Sequence, residues 1–160
     1  MKRLTFPLLC ECLLLIIPLN IYTIGNDLAH GIQWALFRYQ QSSMGNSLIL
    51  AYKDILYITH GLLKGSSAYS AAVWVLGAIL LVLAVILMAV AYVNERNRYV
   101  TYAGFLTIAS SVLFFIAEIV QYGPMLANDH GSAIPAGVPL VLIVGIWLVK
   151  CGLDPESGTL

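Results

Sequence analysis

The sequence predicts an all-α integral membrane protein: a four-transmembrane-helix bundle with an amphipathic helix in a long first outer loop. Three observations carry that expectation. Of the 160 residues, 60% are hydrophobic and 10% charged, whereas a soluble domain carries roughly 25% charged residues. Four apolar runs approach the about 20 residues that a ~30 Å hydrocarbon core requires of a helix. Within those runs the only acidic residues are Glu11 and Glu118.

The first span is read at 4–24, with Pro7 near its start and Pro18 in its outer half. Met1-Lys2-Arg3 before an apolar run has the outline of a secretory signal. Glu11 interrupts the run, residues 16–24 continue it, and no small-x-small site follows at once, so an uncleaved span is expected. The second span, 69–93, has no charged residue, and the third, 99–122, carries Glu118. The fourth, 134–151, has Pro135 in its first turn, where proline is tolerated, and Pro139 farther in, where it loosens the helix. These spans make one domain over 1–152, followed by a short polar cytoplasmic tail at 153–160.

Lys and Arg set the orientation. Lys2, Arg3, Arg96, Arg98 and Lys150 fall on one side, and Arg38, Lys53 and Lys64 on the other, spread through a longer loop. Both termini are therefore expected in the cytoplasm, in a multi-pass protein of the cell membrane.

The outer loop, 25–67, exceeds the length of a simple connector. Its second half predicts a helix at 47–64, with Leu48, Tyr52, Ile55, Leu56, Thr59, Leu62 and Leu63 on one face and Lys53, Tyr57, His60 and Lys64 opposite. Trp34, Phe37 and Tyr39 in its first half read as aromatics of the membrane interface. A long outer loop, a tight inner turn and a short second outer loop give a layout that resembles claudin-like tetraspan proteins. The resemblance covers topology alone: the loop has no cysteine, so that family's tryptophan-plus-paired-cysteine signature is missing.

Small residues at heptad spacing let helix backbones approach closely in lipid. Gly77, Ala84 and Ala91 form such a stripe in the second span, and Gly104 and Ser111 lead to Glu118 in the third. Spans two and three are expected to pack through these faces. Glu118, near the outer surface, lies closest in depth to Gln121, Asp129, His130 and His60, which makes these five the candidate polar cluster. Glu11 lies at the inner end, where Lys150 could reach it. The two carboxylates are too far apart in depth to form an acid/base pair.

Zero formal net charge, eight basic against eight acidic residues, leaves no basic patch for nucleic acid. Cys10, Cys12 and Cys151 read as small hydrophobes, and no spacing suits a metal or haem. Neither a cofactor nor a hydrolase, zinc-protease or phosphate-loop motif is indicated. The leading expectation is a non-enzymatic membrane protein, a scaffold, accessory subunit or self-associating tetraspan, whose partners are the lipid bilayer and a second copy or another membrane protein. Two alternatives stand beside it. One is a small oligomeric transporter of ions, protons or small solutes using Glu118 outside and Glu11 inside. The other is an enzyme acting on lipid or quinone through Glu118 with His130 or His60.

Overall fold

Pro18 marks where the first apolar run changes character. Proline removes an N–H and disfavours the helical region for the residue before it, and the residues that follow, Asn-Ile-Tyr-Thr-Ile, are rich in strand-forming side chains. In the computed structural model, which describes residues 4–25, 28–43, 45–129 and 131–153, the run divides accordingly. Helix α1 spans Thr5–Leu13 and strand β1 spans Asn20–Ile24. Three further strands follow, β2 (Ala29–Gln33), β3 (Phe37–Ser42) and β4 (Gly45–Leu50), then helices α2 (Ala51–Thr59), α3 (Gly65–Asn94) and α4 (Asn97–Tyr122). The short strands β5 (Ala127–Asn128) and β6 (Gly131–Ile134) precede helix α5 (Val138–Leu153).

The six strands form one sheet in the order β4-β3-β2-β1-β6-β5, antiparallel throughout. The chain is therefore a mixed α/β protein and not an all-α four-helix tetraspan bundle. Among the described residues two helices, α3 and α4, are long and apolar enough to cross a membrane. The expected spans at 4–24 and 134–151 each surrender residues to the sheet, leaving helices of 9 and 16 residues. The expected helix at 47–64 likewise begins inside a strand, and only Ala51–Thr59 is helical. That helix also turns its expected face outward: Asp54 is its buried residue, while Tyr52, Ile55 and Leu56 are exposed.

The sheet lies at one end of the helices, against the start of α3 and the end of α4. The opposite end holds the tight α3–α4 turn, where Glu95 takes a left-handed conformation with φ of 53°. Two apolar clusters fill the space between. Near the turn, Ala84, Met88 and Ala91 of α3 meet Val100, Ala103 and Leu148, with Leu4 and Leu8 packed alongside. Toward the sheet, Trp74, Ala78 and Leu81 meet Phe114, Leu14, Leu19 and Val141. Trp74 and Phe114 are in ring contact, with centroids 4.6 Å apart.

Close packing and interhelical hydrogen bonds join the long apolar helices. Ser110 of α4 donates to the Gly77 carbonyl of α3 at 2.8 Å, and Ser111 donates to the Val138 carbonyl of α5 at 3.0 Å. Gly104 and Gly145 bring α4 and α5 into backbone contact: a Cβ on Gly104 would lie 2.7 Å from the Val149 nitrogen and 2.8 Å from the Gly145 oxygen. The expected stripe thus divides. Gly77, Ala84 and Ala91 face the α4 side carrying Ala103 and Ser110, whereas Gly104 and Ser111 face α5.

Candidate functional site

Strand periodicity builds the site. Side chains alternate between faces with period two, and the register aligns Asn20, Gln33, Arg38 and Ile49 in one row across four strands, with Tyr22, Gly31, Gln40 and Ser47 in the next row on that face. This face turns toward α3 and α4: Asn20 and Tyr22 are buried, while Ile21 between them is exposed. The Tyr22 ring lies over Gly31, where any Cβ would fall 2.2 Å from a ring carbon. Its phenol donates to Gln40 Oε1 at 3.4 Å.

Between this polar face and the helices lies a cavity of about 460 Å³. Tyr22, Gln33, Arg38 and Gln40 line it from the sheet, Ser66, Ser67, Ser70 and Trp74 from α3, and Glu118, Gln121 and Tyr122 from α4. Glu118, only 3% exposed, accepts a hydrogen bond from Asn20 Nδ2 at 2.5 Å through Oε1. Its Oε2 has no hydrogen-bond partner among the described residues. Arg38 donates from Nη2 to Asp54 Oδ1 at 2.7 Å, pairing β3 with α2. Burial pushes the Asp54 carboxyl above its ordinary range, and the Arg38 charge pulls it back only in part. Burial also raises the Tyr22 phenol, with Arg38 opposing it.

Of the five residues expected to cluster, the cavity brings together Glu118 and Gln121, whose amide donates to Ser67 Oγ at 3.3 Å. His60 is exposed at the end of α2, its Nδ1 2.7 Å from the Leu56 carbonyl. Asp129 is exposed beside the β5–β6 turn, and His130 lies outside the described residues. Sequence reasoning missed Asn20, Tyr22, Gln33, Arg38 and Gln40. For Arg38 and Gln40 the signal is the alternation Phe37-Arg38-Tyr39-Gln40, legible once that stretch is read as a strand. Asn20, Tyr22 and Gln33 carry no such pattern and are placed by the sheet register.

Glu11 is fully buried in α1, and its Oε1 lies 2.5 Å from the Thr107 hydroxyl. Thr107 precedes Glu118 by eleven residues on α4, about 16 Å of helix at 1.5 Å per residue. The two glutamates therefore occupy separate sites. Lys150 is exposed in the last turn of α5, and Thr107 is the partner that Glu11 takes. The chain matches no protein-family model and no curated protein, so its function rests on this geometry.

Proposed function

We propose that the protein is a non-enzymatic integral membrane protein, held by α3 and α4, that works as a scaffold or accessory subunit by associating with a second copy of itself through its sheet. One observation carries this reading: β4 is an open edge of six residues, Gly45–Leu50, with no charged residue and no proline. Soluble proteins blunt such edges with charge, proline or a covering element, because the unpaired N–H and C=O groups template another strand. The opposite edge, β5, has two residues. Leu48 of β4 is 57% exposed, and Tyr52, Ile55 and Leu56 of the following helix extend the apolar surface. The same edge of a second chain, related by a two-fold axis, offers complementary backbone donors and acceptors along its whole length.

The positive-inside rule supports placing the α3–α4 turn, with Arg96 and Arg98, in the cytoplasm. The first and last described residues lie at that same end, since Leu4 packs into the turn-side cluster and Gly152 approaches Thr101. The sheet then stands on the outer face of the cell membrane. Mass photometry in mild detergent tests the association. Wild type is expected as an oligomer and Leu48→Lys as a monomer, with melting temperature nearly unchanged because the site is exposed. A strictly monomeric wild type overturns the reading.

A further inference from the structure

We propose that the cavity between the sheet and α3–α4 is a binding site for an organic ammonium group, with Glu118 as its counter-ion. This inference does not rest on self-association. Its volume of about 460 Å³ falls within the roughly 300–1,000 Å³ of small-molecule sites. Two charged residues line it, Arg38 and Glu118. Arg38 is neutralised by Asp54 at 2.7 Å. That leaves Glu118 as the one acidic group of the cavity wall, with no charged partner among the described residues.

A buried carboxylate is costly unless it is paired and hydrogen-bonded. Asn20 satisfies one oxygen of Glu118, and the other has no partner among the described residues. A monocation bearing N–H donors would supply both the opposite charge that favours the ionised form and a donor for the free oxygen. The rest of the wall suits the same ligand. Trp74, Tyr22 and Tyr122 supply aromatic rings able to attract a cation through their π faces. Gln33 and Gln40, with the α3 serines, supply acceptors for the remaining N–H groups. A bare metal ion fits less well: one carboxylate among amides and hydroxyls is a poor donor set, and no group of three or more His, Cys, Asp or Glu able to hold a metal occurs among the described residues.

The ammonium has two possible sources, a free amine or the headgroup of an aminolipid, since the cavity adjoins the ends of both membrane-length helices. Calorimetric titration of the full chain in detergent with phenethylamine, against its uncharged analogue 2-phenylethanol, tests the shared chemistry. The amine is expected to bind saturably, and the alcohol about tenfold to a hundredfold more weakly, the worth of a charge-assisted hydrogen bond. Glu118→Gln should weaken the amine by the same factor. Ser70→Phe, which fills the cavity and leaves the carboxylate in place, should abolish binding. Native mass spectrometry from nanodiscs of phosphatidylethanolamine or phosphatidylglycerol separates the sources. Retention of phosphatidylethanolamine alone, displaced by phenethylamine, identifies the lipid; amine binding without lipid retention identifies a free ligand. Melting curves establish that each variant is folded. If Glu118→Gln does not fold, Ser70→Phe and the amine–alcohol comparison decide. Equal affinity for amine and alcohol, unchanged amine binding in folded Glu118→Gln, or retention of neither probe overturns the proposal.

Discussion

At Glu11 the hydrogen-bond arithmetic does not balance for an ionised carboxylate. The Thr107 hydroxyl lies 2.5 Å from Glu11 Oε1 and 2.9 Å from the Ala103 carbonyl, with a single hydrogen for both acceptors, and Glu11 Oε2 has no partner among the described residues. A glutamine there would donate its own N–H to Thr107 and free the hydroxyl hydrogen for Ala103. It would also remove a group that is expensive to bury as an anion. Glu11→Gln is therefore expected to stabilise the protein by about 1 kcal/mol, read as a higher melting temperature in detergent. A fall in melting temperature would show that the carboxyl has a use that an amide cannot serve. Both glutamates are legible in the sequence because an ionisable residue stands out in an apolar run. Asn20, an uncharged polar residue inside the expected first span, and Arg38, a charge in the expected outer loop, attract no notice until strand register turns both toward the helices.

Helix length and strand alternation differ as signals at the scale of elements. The expected spans at 69–93 and 99–122 lie within α3 and α4 to a few residues, since a long apolar run has few other solutions. Hydropathy cannot distinguish one span from a short helix followed by a buried strand, and so α1 and β1 merge in the sequence at 4–24. Pro18 and the strand-forming residues after it mark the division. The polar inner face of the sheet hides β2 and β3 further: Gln33, Arg38 and Gln40 point inward, inverting the pattern that normally betrays a half-buried strand. Helix contacts offer a direct test. Gly104→Val sets a side chain against the α5 backbone, which cannot yield as a flexible side chain would. It should destabilise the protein by about 1–3 kcal/mol, the usual cost of overpacking, measured as a lower melting temperature. A neutral result would mean that α4 and α5 separate freely.

The whole molecule is a helical body with a sheet across one end, and its proposed setting in the membrane makes the two ends chemically distinguishable. Met125, 86% exposed beside the sheet, and Glu95, in the α3–α4 turn, mark them. In a background with its three cysteines replaced, Met125→Cys should react with an impermeant maleimide on intact cells. Glu95→Cys should react only after permeabilisation. The reverse pattern would invert the orientation.

Pairing of β1 with β6 also dictates an order of events during synthesis. Tyr22 takes Ala133 as its partner across the sheet, more than a hundred residues later in the chain. Hairpins β1–β2 and β3–β4 can close as they emerge, since their partners are neighbours in sequence. Until Gly131–Ile134 has left the ribosome, however, β1 presents an unpaired flank beside a half-built cavity. A chain interrupted after α4 would carry both apolar membrane-length helices with its sheet still open. Such an intermediate is prone to strand-to-strand misassembly, so the last short hairpin acts as the closing stitch for everything made before it.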